Sequence, residues 1–180
     1  MGRIEKQLKI SNVGLRNGIM YGGSIAIISL ILFFINPLFL LKFYITFPIG
    51  LFLITFFCIK AGREERNLDA DGLLSYGDAL LTMIITIVTG VLIYSVVEYC
   101  IYNFLWTDYA DAVRQEAINT AESVAKFINP EAEIPEEAIE ELNKQDFSYG
   151  IGSLVLAWLT ASILGTIYAL ILALFVRKNQ

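Results

Sequence analysis

Four apolar stretches constrain what this chain can fold into more than any other feature of its sequence. They cover residues 18–35, 38–59, 79–105 and 151–176. Each is about as long as the roughly 20 helical residues that cross the hydrocarbon core of a membrane. Only two charged residues, Lys42 and Glu98, fall inside them, and both lie near the end of a stretch. The sequence therefore predicts an all-α fold, a four-helix transmembrane bundle in the lipid bilayer, with residues 1–180 forming a single integral membrane domain.

The basic residues predict which side of the membrane each connection faces. Lysine and arginine are enriched on the cytoplasmic side of membrane proteins. Most of them lie before the first stretch, after the second or after the fourth, at Arg3, Lys6, Lys9, Arg16, Lys60, Arg63, Arg66, Arg177 and Lys178. These positions share one side of the membrane only if both termini do. We therefore expect a multi-pass protein with both termini in the cytoplasm, a short outer turn at Asn36-Pro37 and a long external segment, residues 106–148.

The external segment 106–148 holds the acidic character of the chain. It carries eleven carboxylates and three basic residues, a net charge of −8, whereas the whole chain has a net charge of −5. Apolar residues recur every three or four positions from Tyr109 to Ile128, which predicts an amphipathic helix capped by Thr107 or Asp108. A second short helix is expected from Pro135, because proline suits the first position of a helix.

These external helices need a surface to pack on. One interpretation is that they pack on each other and on the outer rim of the bundle. The other interpretation is that they form a docking surface for a partner protein. Binding to the membrane surface is not expected, because anionic headgroups repel a segment with this net charge.

Small residues recur every four positions along the fourth stretch and, over a shorter length, along the first. They are Ser153, Ala157, Ala161, Gly165, Ala169 and Ala173 in the fourth stretch, and Gly18, Gly22 and Ala26 in the first. Such a pattern lets two helix backbones approach closely. The contact can lie within one chain or between two copies of it. The pattern therefore predicts either intramolecular packing or a homo-oligomer.

Two charges and one proline stand out inside the spans. Lys42 and Glu98 share an outer-leaflet depth, about 27–30 Å from the inner face at 1.5 Å per helical residue. They form either an ion pair between the second and third spans or separate contacts with the outer interface. A proton or ion pathway is less favoured, since no carboxylate or histidine continues it inward. Pro48, followed by Gly50, is expected halfway along the second span, where it kinks the helix and frees the carbonyl of Tyr44.

Residues 67–78 resemble a calcium-binding loop without meeting its requirements. Oxygen-bearing side chains, a glycine and a final carboxylate fall at the usual positions. However, the first ligand would be Asn67, and the last would be Asp78, whose side chain is too short for the usual bidentate contact. The same residues are common in turns, and Asp78 suits the N-terminal end of a helix. We therefore predict no metal site here.

The sequence offers little for catalysis. It contains no histidine, which removes the commonest metal ligand and the usual acid–base group. Its two cysteines, Cys58 and Cys100, are expected on opposite faces of the membrane and therefore unpaired. No nucleophile–base pair, metal cluster or phosphate-binding loop is recognisable. We expect no enzyme activity, no cofactor, no catalytic or cofactor-binding residue and no nucleic-acid partner.

The layout is similar to that of a known bacterial family. Asn17-Gly18 opens the first span, and the run from Gly72 to Ala79, Gly-Leu-Leu-Ser-Tyr-Gly-Asp-Ala, opens the third. A long charged segment then separates the third and fourth spans. On these features the chain resembles domain-of-unknown-function family 4199, whose members are found mostly in the inner membranes of Bacteroidetes. The resemblance implies a four-helix bacterial inner-membrane protein, and it assigns no functional residue because the family has no established activity.

Two functions from different classes fit the sequence. The first is a non-catalytic accessory or scaffold subunit, which the small-residue pattern and the external acidic helices indicate. The alternative is a small oligomeric transporter or channel, which Pro48, Gly50 and the charges of Lys42 and Glu98 indicate. We favour the first.

Overall fold

The fold is built from α-helices. A computed structural model describes residues 3–68, 74–129 and 134–176, and within these ranges the chain has six α-helices and no strand. They are α1 (Arg3–Ile35), α2 (Phe43–Leu68), α3 (Tyr76–Cys100), α4 (Tyr109–Ile128), α5 (Glu136–Lys144) and α6 (Ile151–Val176). A 3-10 helix, Pro37–Leu41, joins α1 to α2. A π-helical turn, Ile101–Leu105, comes after α3, and in it Trp106 N donates to Ile101 O at 2.8 Å.

Four of the described helices are long and apolar enough to cross a membrane. These candidate spans are Ile10–Ile35, Phe43–Leu68, Tyr76–Leu105 and Ile151–Val176. The prediction of an all-α fold with four membrane-spanning helices is confirmed by the number, length and composition of these helices. The fourth span has the bounds that its hydropathy predicted, and α4 and α5 occupy the segment where two external helices were expected.

The second span does not begin at residue 38 as predicted. Residues 37–41 form the 3-10 helix instead, because Asn36 Oδ1 accepts a hydrogen bond from Leu38 N (3.0 Å) and the proline ring restricts the first position. Lys42 is then extended, with φ −85° and ψ 99°, and α2 starts at the next residue. The connection between the first two spans is therefore a structured link rather than a two-residue turn.

Pro48 lies in the second turn of α2, not halfway along the helix as predicted, because α2 begins at Phe43 and runs to Leu68. The helix continues through the proline. Since proline has no N–H, it cannot donate to the carbonyl of Tyr44, which lies close to the helix start. The loss of this one hydrogen bond is confined to the beginning of the span.

Two other helices extend beyond their apolar stretches. α1 already begins at Arg3, and α3 begins at Tyr76 rather than at residue 79. Ser75 caps α3, because its Oγ accepts from Asp78 N at 3.1 Å and donates to Asp78 Oδ2 at 2.7 Å. The first of these bonds satisfies a free backbone N–H at the helix N-terminus, which explains why the helix starts one turn before the apolar residues.

Glycines bring α1 and α3 into close contact, and this is the most extensive helix pair in the described part of the chain. Gly14, Gly18 and Gly22 lie four residues apart on the face of α1 that meets α3. A Cβ atom added at any of them would lie 2.6–2.8 Å from an atom of α3. Thr86 Oγ1 of α3 also donates to Gly14 O at 3.2 Å. The close packing predicted for Gly18 and Gly22 is confirmed, and Gly14 extends it by one turn.

The small-residue stripe of α6 divides into two halves. Gly165, Ala169 and Ala173 are buried, and a Cβ at Gly165 would lie 2.6 Å from Ile87 Cγ2 of α3. Nearer the start of the helix, Ala161 is exposed. The C-terminal half of the stripe therefore packs within the chain. A contact between two copies through the N-terminal half stays a prediction.

Gly22→Ala is expected to destabilise the bundle, whereas Gly23→Ala is not. A methyl group at position 22 would meet Gly90 O, a backbone atom that moves only with α3, but nothing lies within 4 Å of a Cβ at position 23. We expect Gly22→Ala to lower the free energy of unfolding by about 1–3 kcal/mol, measured by SDS denaturation in mixed micelles. Gly23→Ala is the matched control. It is expected to leave the free energy of unfolding unchanged or to raise it, because alanine favours the helical conformation. Equal losses in both variants would contradict the close packing of α1 on α3.

Candidate functional site

Glu98, near the end of α3 that leads to α4, is held between two tyrosines. The hydroxyl of Tyr94 donates to Glu98 Oε1 at 2.7 Å, and the hydroxyl of Tyr102 donates to the same oxygen at 3.2 Å. The two tyrosines lie one turn before and one turn after the glutamate. A carboxyl group inside a span needs such partners, because hydrocarbon offers none. The third span therefore supplies its own hydrogen bonds to its acidic group.

Lys42 does not pair with Glu98. Its Nζ lies 2.5 Å from Glu116 Oε1 of α4, and both of these side chains are partly buried. The interpretation of an ion pair between the second and third spans is therefore wrong. The prediction assumed that Lys42 lies inside a helix at the same depth as Glu98. Lys42 instead occupies the extended link before α2, where it faces the acidic α4. The lysine thus ties the α1–α2 connection to the external segment.

Four aromatic side chains join the ends of α3, α4 and α6 and form the aromatic cluster: Tyr102, Trp106, Tyr109 and Tyr149. The rings of Tyr102 and Tyr109 stack with centroids 4.2 Å apart, and Tyr149 meets Tyr102 edge-on at 5.1 Å. Trp106 meets Tyr109 edge-on at 5.5 Å. The ring centroid of Phe33 in α1 lies 6.2 Å from that of Trp106. Residues in or next to α1, α3, α4 and α6 therefore meet at this end of the bundle.

The two tyrosines of the aromatic cluster that lie outside the spans are held in their neutral form. Burial raises the pKa of Tyr109 to about 12, and the nearby charge of Glu98 acts in the same direction. Burial, then Glu98 and Tyr109, also raise the pKa of Tyr149 above its usual value. The Tyr149 hydroxyl is buried without a hydrogen-bond partner among the described residues. Its backbone carbonyl accepts from Asn103 Nδ2 at 2.8 Å, which ties the π-helical turn to the start of α6.

α4 leaves the aromatic cluster as an amphipathic helix that is only partly covered. It contacts the 3-10 helix and α5, and none of its residues is buried. At its C-terminal end Val124, Phe127 and Ile128 are 54%, 91% and 79% exposed. Asp108 occupies the N-cap position, as one of the two predicted caps, but its side chain makes no capping hydrogen bond. Contacts with the bundle, rather than a side-chain cap, hold the start of α4.

A second polar cluster joins α1 to α2 at the opposite end of the bundle. Arg16 Nη2 and Asn17 Nδ2 both donate to Glu64 Oε2, at 2.8 Å and 2.6 Å. Asn17 is fully buried and also donates to Val13 O at 3.0 Å. Sequence reasoning missed this cluster because its partners lie 47 and 48 residues apart. The one local sign of this cluster in the sequence was Asn17, a polar residue that lies among the glycines of α1.

The loop that resembles a calcium site is described only in part, since residues 69–73 lie outside the described residues. Arg177 and Lys178, which entered the orientation argument, lie outside them as well. Asn67 belongs to α2, and Asp78 takes part in the cap of α3. Within the described ranges, no group of three His, Cys, Asp or Glu residues lies close enough to hold a metal ion. The end of the loop thus has the helix-capping role that its turn chemistry indicated.

Tyr94→Phe is expected to lower stability more than Tyr149→Phe, although each change removes one phenol hydroxyl. The first removes a donor to a carboxyl group inside a span, and such a hydrogen bond contributes about 1.5–3 kcal/mol. The second removes a buried hydroxyl without a described partner, so its loss is expected to be neutral or stabilising. Thermal unfolding of both variants in the same detergent checks this. If Tyr149→Phe proves the more damaging, the hydrogen bonding assigned to Glu98 is incorrect.

Comparison with known proteins identifies a family for this chain. No curated protein and no solved structure shows significant similarity to it. A family model described as a protein of unknown function, DUF4199, matches residues 16–178. The match begins at Arg16 in α1 and includes the hydrogen-bonded groups around Glu64 and Glu98 as well as the aromatic cluster. It also includes the motifs at Asn17-Gly18 and Gly72–Ala79. The chain therefore belongs to family DUF4199, as those motifs predicted.

Proposed function

We propose that this protein is a non-catalytic accessory or scaffold subunit of a bacterial inner membrane, and that a partner protein binds its external segment. The observation that carries the proposal is the C-terminal end of α4. There Val124, Phe127 and Ile128 are exposed on a helix that lies outside the candidate spans. Exposed apolar side chains grouped in this way are typical of interaction surfaces.

The start of α4 is fixed to the bundle, which supports a recognition role for its far end. The aromatic cluster holds the first turn through Tyr109, and the Lys42–Glu116 ion pair holds the helix two turns later. A helix that is ordered before it meets a partner loses less conformational freedom on binding. The exposed end of α4 is thus presented from a defined position.

The charge of the segment indicates the chemistry of the partner. Residues 106–148 carry a net charge of −8. A complementary surface would offer an apolar patch for the end of α4, bordered by lysine and arginine residues. Such complementarity steers association and excludes acidic competitors.

The distribution of basic residues supports an orientation with both termini in the cytoplasm. The connection after α2 carries Lys60, Arg63 and Arg66, and the segment before the first span is also basic, whereas the segment that holds α4 and α5 is acidic. The positive-inside rule then puts α4 and α5 on the outer side. A partner would therefore lie in the periplasm or extend into it.

The arrangement of acidic groups supports a non-catalytic role. The chain has no histidine. Glu64 and Glu98 lie at opposite ends of the bundle, and each is hydrogen-bonded to neighbouring side chains. Glu64 and Glu98 therefore do not form a pair for general acid and base work.

A photo-crosslinking residue at Phe127 is expected to capture a partner protein in intact cells. Benzoylphenylalanine would replace Phe127 on α4 in one strain and Phe175 of α6, which is 79% exposed within a span, in the control strain. We expect a protein adduct of defined mass from position 127 and only lipid adducts from position 175. An absence of protein adducts at position 127, with normal protein levels, would count against the scaffold proposal.

Cysteine labelling is expected to confirm the orientation. Cys100 is exposed and would first be changed to serine, whereas Cys58 is buried and can stay. A membrane-impermeant maleimide added to spheroplasts should label Glu137→Cys and should label Asn67→Cys only after lysis. The reverse pattern would mean that the acidic segment faces the cytoplasm.

A small oligomeric transporter or channel is the alternative function. One of its supports, a Lys42–Glu98 pair, is absent because Lys42 contacts Glu116. The hydroxyls of Thr82 and Thr86 inside the bundle donate to helix carbonyls, an arrangement that suits packing more than conduction. Ion flux in proteoliposomes that falls in Glu98→Gln would favour transport over the scaffold role.

A further inference from the structure

A groove between α1 and α2 continues along the surface of α2. It consists of two adjoining cavities of about 440 and 410 Å³, which share Phe56 and Lys60. The first is apolar and extends along α1 from Ile19 to Ile27, a length of about 12 Å at 1.5 Å per residue. That length is most of one leaflet, since half of the hydrocarbon core measures roughly 15 Å. The groove is therefore long enough to hold much of one acyl chain.

Gly23 forms an open part of this groove. No atom of the described residues lies within 4 Å of a Cβ built on it, in contrast to Gly18 and Gly22 on the neighbouring face. Ile19 and Ile27, one turn to either side, are 57% and 60% exposed. The α1 wall is thus apolar, with a gap in its middle that no side chain of the described residues fills.

The second cavity is lined by two cations, Lys60 and Arg63, and by one carboxylate, that of Glu64. The Lys60 ammonium lies 3.4 Å from Met20 Sδ and 5.7 Å from the centre of the Phe57 ring, both weak partners for a cation. Arg63 lines the same cavity and makes no ion pair with any residue in the described ranges. Glu64 is close by, but its Oε2 already accepts from two side chains of α1.

We propose that this groove binds an anionic phospholipid, with the headgroup phosphate at Lys60 and Arg63 and one acyl chain along the wall of α1 that contains Gly23. Lys60 and Arg63 lie at one end of the open apolar groove, and a phospholipid joins an anion to a hydrocarbon chain in the same order. Lysine and arginine residues close to the cytoplasmic membrane surface attract such headgroups. The site lies in the inner leaflet if the proposed orientation holds. The proposal goes beyond the scaffold function and does not depend on it.

Native mass spectrometry of the full-length, delipidated protein in mild detergent tests the proposal. The probes are dioleoyl phosphatidylglycerol, dioleoyl phosphatidylcholine with the same chains and no net charge, and inorganic phosphate with no chains. We expect one phosphatidylglycerol to bind in preference to phosphatidylcholine. We expect inorganic phosphate at millimolar concentration to leave that complex intact, because phosphate lacks the apolar part.

Two variants separate the headgroup contact from the chain contact. Lys60→Gln/Arg63→Gln is expected to weaken phosphatidylglycerol binding by about fivefold for each charge removed. Gly23→Leu would fill the groove, so it is expected to weaken binding of both lipids without lowering thermal stability. The matched controls are Lys126→Gln/Lys144→Gln, which removes two exposed charges at the other end, and Gly152→Leu, at another glycine with open space around it.

Three results would overturn the proposal. Equal binding of the two lipids would show that the charge of the headgroup is not recognised. Displacement of phosphatidylglycerol by inorganic phosphate would show a site for a free anion. Unchanged binding in Lys60→Gln/Arg63→Gln would place any bound lipid elsewhere, and this result stands even if Gly23→Leu fails to fold.

Discussion

Backbone-to-backbone contact between α1 and α3 is the interaction on which the other contacts of the bundle depend. Lipid chains are as apolar as leucine, so spans do not associate by the hydrophobic effect and must instead gain from close packing. Three glycines on α1 remove the side chains that would hold α3 away, and Gly90 does the same from the other side. An approach this close allows Cα–H groups to contact carbonyls, and each contact of that kind contributes roughly 0.5–1 kcal/mol. α2 and α6 then pack on α3, with the core residues Met83 and Ile87 between them.

Polar contacts at both ends of the bundle fix the positions of the helix ends relative to one another. At one end Arg16 and Asn17 of α1 meet Glu64 of α2. At the other, the aromatic cluster and the Lys42–Glu116 pair join the helix ends and seat α4. The hydrogen bonds to Glu64 and the Lys42–Glu116 pair satisfy charged groups that the bilayer or its interface would otherwise leave poorly solvated. The spans are thus packed along their lengths by small residues and positioned at their ends by polar ones.

Much of the fold could be read from local sequence signals, and the polar contacts could not. Hydropathy gave the bounds of α6, and apolar periodicity gave the length of α4, because both depend on residues that are close in sequence. The predicted Lys42–Glu98 ion pair is wrong for two reasons. The depth of a residue in the membrane does not say in which direction its side chain points, and the 3-10 helix that begins at Pro37 places Lys42 outside the helix of the second span. Gly14 was overlooked since it precedes the apolar stretch. The contacts of Glu64 required the positions of two helices, which no local pattern contains.

The π-helical turn after α3 has a consequence for the direction of the external arm. A π turn holds one residue more than an α-helical turn, and each added residue rotates the rest of the chain by about 100°. The hydrogen bond from Trp106 N to Ile101 O marks that extra residue. After this turn the ring of Tyr109 meets those of Trp106 and Tyr149. Related chains that gain or lose a single residue here would point α4 and α5 in a different direction, while the four-helix bundle stays the same.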